Sequence, residues 1–172
     1  EKRPSLHRRY FQILTNLAYL RGHVHHVHDF SGVILWFPPS VTLSSNPLHL
    51  MRAGFFDLLR HSGLEGFKRF ATELMPLCEQ VKARTLGPKA KCYYIFAMAV
   101  LGAYESQNLA FPLMEHVLRE ADENHLPCLT ECCRPELLPL YLDFGFLILD
   151  VQYLGKGDQA KKTKIWFLIR EP

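Results

Sequence analysis

The sequence predicts one α/β domain built on a mixed sheet, and three observations carry that prediction. Helical and strand-like periodicities alternate along the chain in the order helix, strand, strand, helices, strand, helix, strand, helix, strand, strand. The passage from Cys92 to Cys132 reads strand, helix, strand, with a connection long enough for a parallel crossover. The 172 residues are 48% hydrophobic and 22% charged, a globular balance that excludes a disordered tail or a fibrous chain and supplies one domain's worth of core.

Each element has its own signal. Residues 5–21 place Leu6, Tyr10, Ile13, Leu14, Leu17 and Leu20 on one helical stripe, with Gly22 as the stop. His23 to His28 reads as a short strand, Asp29 to Gly32 as a turn and Val33 to Phe37 as a buried strand ended by Pro38 and Pro39, so the two strands form a hairpin. Residues 47–61 and 64–84 repeat apolar positions every three or four residues, and Pro76 kinks or breaks the second helix. Cys92 to Leu101 is long, apolar and rich in β-branched and aromatic side chains, which marks a central strand. The loop Gly102-Ala-Tyr-Glu-Ser-Gln-Asn follows it. A helix then carries Ala110, Leu113, Met114, Val117, Leu118 and Ala121 on one stripe, and Pro112 is tolerated in its first turn. Pro127 to Cys132 is a short strand, and Pro135 to Phe144 a short helix ended by Gly145. Phe146 to Leu154 and Lys164 to Arg170 are strands joined by the polar turn from Gly155 to Lys162.

Composition narrows the function. Lys and Arg number 20 against 17 Asp and Glu, a net charge of +3 that is too mild for a nucleic-acid binder. The longest apolar run, Ile95 to Ala103, falls well short of the roughly 18 residues of a membrane span. Cys78, Cys92, Cys128, Cys132 and Cys133 are odd in number and contain no C-x-x-C pair, which favours reduced intracellular thiols and a cytoplasmic setting. The chain opens on Glu1 rather than Met and shows no signal peptide, so its start is expected to be truncated.

The stretch from Tyr93 to Asp122 is the most informative. A buried strand runs into a short polar loop that opens directly onto a helix, and helix N-termini present unpaired N–H groups and partial positive charge to anionic ligands. Ordinary crossover loops share this geometry, so the reading needs sequence support. Four blocks supply it: Gly32-Val-Ile-Leu-Trp-Phe-Pro-Pro; Tyr93-Tyr-Ile-Phe-Ala-Met-Ala-Val-Leu; Leu109 to Asp122, containing Leu113-Met-Glu-His-Val-Leu-Arg-Glu-Ala-Asp; and Leu126-Pro-Cys-Leu-Thr-Glu followed by Pro139-Leu-Tyr-Leu-Asp-Phe-Gly-Phe. In order and spacing, from Gly32 to Pro172, they resemble the GNAT superfamily of acyl-CoA-dependent N-acyltransferases, in the style of its puromycin acetyltransferase-like members.

The resemblance implies a mixed, mostly antiparallel sheet, splayed at its centre to admit an acyl-CoA, within a single domain over 1–172. It implies transfer of an acetyl group from acetyl-CoA to a primary amine of a small molecule or a protein, without a covalent enzyme intermediate. The backbone of Met98, Ala99 and Val100 matches the strand that pairs with pantetheine, and Glu105, Ser106, Gln107, Asn108, Leu109 and Ala110 match the loop around the pyrophosphate. Tyr141 matches the tyrosine that donates a proton to the leaving thiolate, although a helix residue packed on the sheet is the equal alternative. Glu131, or a hairpin histidine such as His26 or His28, is the implied base; a solvated strand-end carboxylate is the plainer alternative for Glu131. The family's additional N-terminal strand and helix are not recognised ahead of residue 5, and a homodimer is admitted.

The departures support a rival. Glu105 and Asn108 stand at loop anchors, Ser106 where Gly is common, and Leu137 where relatives carry an Asn that reaches the cofactor; only Ala110 conforms. These substitutions are what a catalytically inactive, scaffold-only member would carry. Other features read structurally. In Gly22-His-Val-His-His-Val-His-Asp, a strand places His23 and His25 on one face and His26 and His28 on the other, short of the three or four ligands zinc wants, so no metal is expected. Cys128, Cys132 and Cys133 read as small buried side chains, Trp36 and Trp166 as core or rim anchors, and the Lys156 to Lys164 run as a solvated turn. The insertion 47–84 borders the acceptor side in this architecture; Phe55, Phe56, Phe67 and Phe70 either line an acceptor pocket or pack its helices together.

Overall fold

A computed structural model describes residues 4–41, 51–54, 70–155 and 162–172. Helix α1 (Pro4–Arg21) leads into the hairpin β1 (His23–Val27) and β2 (Gly32–Phe37). Residues 51–53 are helical, and a π-helical turn (Phe70–Leu74) runs into α2 (Met75–Leu86). Then come β3 (Tyr93–Val100), a 3₁₀ segment (Gly102–Gln107), α3 (Ala110–Glu123), β4 (Cys128–Cys132), a 3₁₀ turn (Pro135–Leu137), α4 (Leu138–Asp143), β5 (Leu147–Leu154) and β6 (Thr163–Arg170). The strands form one six-stranded sheet in the order β1-β2-β3-β4-β6-β5. Among the described residues only β3 and β4 pair in parallel; the other strand pairs there are antiparallel.

The sheet is the middle of three layers, and strand alternation decides what each face buries. On one face Ile34, Trp36, Tyr93, Ile95, Cys128, Trp166 and Leu168 pack against Leu113, Met114, Val117 and Ala121 of α3 and Tyr141 of α4. On the other face Leu35 and Phe37 pack on Ile13, Leu14, Leu17 and Ala18 of α1, while Ile165 and Phe167 pack on Val81 of α2. The α3 stripe is buried as its spacing predicts: Leu113, Met114 and Val117 are fully covered. Arg170 of β6 fastens α3 to the sheet, donating to both Asp122 carboxylate oxygens at 2.5 and 3.0 Å and to the Phe144 carbonyl at 3.1 Å.

Several element ends differ from expectation for local reasons. The first strand stops at Val27 because His28, Asp29 and Phe30 all adopt left-handed backbone, with φ of 52°, 51° and 64°. The Phe30 ring stacks on His26 at 3.9 Å and closes that turn. Gly22 ends α1 through a close approach: a Cβ there would lie 2.4 Å from the Trp36 carbonyl oxygen. Pro76 sits in the first turn of α2, where its missing N–H costs nothing, and the backbone passes from π to α there. The polar loop after β3 is wound into a 3₁₀ segment, and the short helix ahead of Gly145 divides into a 3₁₀ turn and α4. Among the described residues no helix is long and apolar enough to cross a membrane. Phe55, Phe56 and Phe67, the side chain of Phe70 and residues 156–161 of the polar turn lie outside the described residues.

Candidate active site

The site begins where the two parallel strands part. Tyr93, Tyr94 and Ile95 are in register with Cys128, Leu129 and Thr130, and the pairing then stops although β3 continues to Val100 and β4 to Cys132. Both strands stay anchored on their outer sides: Met98, Ala99 and Val100 face Ile34, Val33 and Gly32, and Cys132 faces Trp166. A fork therefore opens toward the C-terminal ends of β3 and β4, with one backbone edge of β3 turned into it. The register between β2 and β3 advances from Trp36 to Leu35 while β3 advances from Ile95 to Ala97, so Phe96 is an extra residue at the point of divergence. Such bulges bend a strand and re-aim its amides, which suits a strand leaving its partner. The expected splay is thus present, with Met98, Ala99 and Val100 along its open edge.

Beyond β3, Leu101 hands the chain to the loop; its amide donates to the Ser31 carbonyl at 2.8 Å. Glu105, Ser106, Gln107 and Asn108 are exposed, and Leu109 is buried beneath them. Asn108 takes left-handed backbone, φ 52° and ψ 36°, at the turn into α3. The Phe111 amide bonds to the Asn108 carbonyl and Pro112 has no N–H, so the donors at this helix start are few. Leu137, in the 3₁₀ turn before α4, packs against the core rather than presenting a polar group.

Tyr141 and Glu131 flank the fork from opposite faces of β4. Tyr141 projects from α4, is buried and meets Phe146 edge-on at 5.8 Å between ring centres. Burial, with a smaller contribution from nearby Cys132, raises its phenol to about 12, against a hydrogen bond with Thr130 that pulls it down. The phenol therefore stays protonated at neutral pH, and its partner Thr130 belongs to the last paired rung of the fork. Glu131 is one residue further along, on the other face, where it accepts a hydrogen bond from the Tyr94 hydroxyl at 2.6 Å. Glu131 keeps some accessible surface, yet its carboxyl is packed round by protein, and burial pushes its pKa up to about 7 against hydrogen bonds from Tyr94 and Cys78. The solvated strand-end alternative for Glu131 does not hold. Together with Cys78, Lys82, Cys92 and Leu129, the pair lines a cavity of about 40 Å³, room for about two or three waters.

The hairpin histidines are placed elsewhere. His26 stacks on Phe30, His28 leans toward Tyr104 at 5.6 Å, His25 stacks on His116 at 4.2 Å and His23 on Trp36 at 4.3 Å. Among the described residues no group of three or more His, Cys, Asp or Glu is disposed to hold a metal. The thiols are free; Cys128 and Cys132 are buried as expected, whereas Cys133 is exposed. Burial raises every one of their pKa values, Cys128 to about 12, so none is an activated nucleophile. The Tyr94–Glu131 bond, the Cys78 contact and the Phe96 bulge escape a reading of the sequence. The one available signal was the alternation that puts Tyr94 and Glu131 on a shared face once β3 and β4 are paired in parallel.

No family model matches the chain. An uncharacterized N-acetyltransferase of Schizosaccharomyces pombe is 28% identical over 163 residues, 94% of this chain, and the chain spans 65% of that protein's length. Among solved structures, arylalkylamine N-acetyltransferase 2 from Aedes aegypti superposes with a TM-score of 0.58 at 15% identity, covering 99% of this chain and 81% of that one. The Drosophila melanogaster polyamine N-acetyltransferase gives 0.58 at 16% identity, over 85% and 72% of the two chains. The C-terminal condensation domain of Ebony, solved with β-alanyl-dopamine, gives 0.59 at 18% identity, over 96% and 81%. These likenesses establish the fold as that of the GNAT-type acetyltransferases.

Proposed function

We propose that this chain is an N-acetyltransferase that moves an acetyl group from acetyl-CoA directly to a primary amine. The observation that carries the proposal is the fork between β3 and β4, with a protonated phenol on one face and a carboxyl of near-neutral pKa on the other. The open β3 edge at Met98, Ala99 and Val100 offers amides and carbonyls for a pantetheine arm, and the turn from Glu105 to Ala110 offers the start of α3 to a pyrophosphate.

In this reading the acceptor ammonium gives its proton to Glu131, directly or through cavity water. The amine nitrogen then attacks the thioester carbonyl; as the tetrahedral adduct collapses, the C–S bond breaks, the thiolate takes its proton from Tyr141, and the second proton leaving the amide nitrogen passes through water to restore the phenol. Positioning in the fork and polarisation of the carbonyl by β3 amides supply most of the acceleration. The acceptor is a small amine or a protein amine, the setting cytoplasmic, and a homodimer is compatible; the block pattern favours the puromycin acetyltransferase-like style.

The test is thiol release from acetyl-CoA with a panel of primary amines, including agmatine, tryptamine and N-terminal peptides. Release that depends on both substrates and falls in Tyr141→Phe supports the transferase. No release with any amine favours the second reading, a scaffold that binds a ligand or protein without turnover, for which the exposed Glu105 and Asn108 and the packed Leu137 speak.

A further inference from the structure

We infer that Tyr94 and Cys78 are positioning residues that hold the Glu131 carboxyl at the fork and fix the pH at which it can take a proton. This rests on the reading of Glu131 as the acceptor's base. The geometry is specific. Tyr94 belongs to the middle rung of the parallel ladder and Glu131 lies one residue beyond its last rung, so the 2.6 Å bond crosses the crotch of the fork. Cys78 reaches the same carboxyl from α2, so donors arrive from two different elements.

An ionised carboxylate in such a place is costly unless donors stabilise it. Both donors keep their own protons. Tyr94 is raised well above the usual phenol range by burial and then by Glu131, and Cys78 far above a free thiol by the same two causes in the same order. Both act only as hydrogen-bond donors, and each favours the charged form of Glu131. Opposing them are burial and the nearby Glu79 of α2. Lys82 of α2 is engaged with Cys92, and Tyr10 of α1 acts on Tyr94. Removing either donor leaves burial less opposed, so the proton is held to higher pH.

The experiment follows the Glu131 carboxyl carbon by NMR in protein labelled with ¹³C-glutamate, the resonance being assigned by its loss in Glu131→Gln. Wild-type protein should titrate near 7. Tyr94→Phe should titrate higher by about one pH unit or more, since hydrogen bonds to charged groups are strong, and Cys78→Ala higher by less, since a thiol is a weak donor. Cys78→Ser, which restores a donor, should return toward wild type. An unchanged midpoint in Tyr94→Phe and Cys78→Ala overturns the inference, even if both variants are less stable. The base reading is tested apart from this by Glu131→Gln with acetyl-CoA and the amine that turns over. Full activity there defeats the base, while shifted midpoints would still sustain the tuning of Glu131 by its neighbours.

Discussion

The fork and the loop beyond it are built in opposite ways. At the crotch, Tyr94, Thr130 and Glu131 are held by strand pairing and Tyr141 by α4, and burial shifts the proton affinities of Tyr94, Glu131 and Tyr141. Past the end of β3, Glu105 to Asn108 are exposed, and what the loop can offer a phosphate is backbone. In the proposed reading, proton-moving chemistry needs tuned side chains at fixed positions and falls in the layered core. Recognition of a diphosphate by amides would need a backbone path more than particular side chains, so the same reading accommodates Ser106 and Asn108 in the loop. Asn108 itself takes the left-handed backbone of the turn into α3.

This contrast sets the scale of the perturbations. The largest effect is expected at the crotch: Glu131→Gln should lower acyl transfer by roughly 100-fold or more at neutral pH, measured as kcat/KM for the amine. The same variant sharpens the contrast through stability. The folded state raises Glu131 from 4.5 to about 7, so its contribution is fully present below 4.5 and is lost as pH rises through 7. Relative to wild type, Glu131→Gln should therefore become more stable on going from pH 5 to pH 8, by roughly 3 kcal/mol or less, in urea titrations at each pH.

Tyr141→Phe comes next. It should cut kcat by roughly ten- to a hundredfold with little change in acetyl-CoA affinity, because Phe keeps the packing on Phe146 and loses the hydroxyl, with its proton and its bond to Thr130. An unchanged kcat would reduce Tyr141 to a packing residue. Asp122→Asn probes the scaffold away from both regions. Arg170 holds Asp122 below the usual carboxylate range, so this pair stabilises above the unfolded value and is lost as pH falls through the folded one. With 42% of its side chain exposed, Asp122 should be worth about 1 kcal/mol at pH 7 and nothing near pH 2. The smallest effect belongs to the loop: Asn108→Gly relieves a left-handed residue and should add at most about 1 kcal/mol of stability. Acetyl-CoA should bind it as tightly as wild type or a few-fold tighter. Much weaker binding would mean that the Asn108 side chain itself contacts the ligand, and the contrast would break.

What could be read from the chain follows the same division. Periodicity located the α3 stripe, the hairpin and the parallel crossover because burial on one face imprints itself on neighbouring residues, as with Leu113, Val117 and Ala121. The fork was legible only through resemblance, since nothing local in Tyr-Tyr-Ile-Phe-Ala-Met-Ala-Val declares where pairing with β4 ends or that Phe96 is extra. The Glu131 partnership was illegible for a different reason. Cys78, Tyr94 and Glu131 lie on α2, β3 and β4, and a hydrogen bond across such separations is set by tertiary packing alone. Gly22 illustrates a right boundary with a different cause, a close approach to the Trp36 backbone rather than a permissive turn.

The most direct test of the transferase is equilibrium dialysis of the protein against radiolabelled acetyl-CoA, with coenzyme A as competitor. The fork and its loop predict saturable binding of one acetyl-CoA per chain that coenzyme A displaces. Failure to retain the label at millimolar acetyl-CoA would contradict the account, leaving an acetyltransferase fold without its acyl donor.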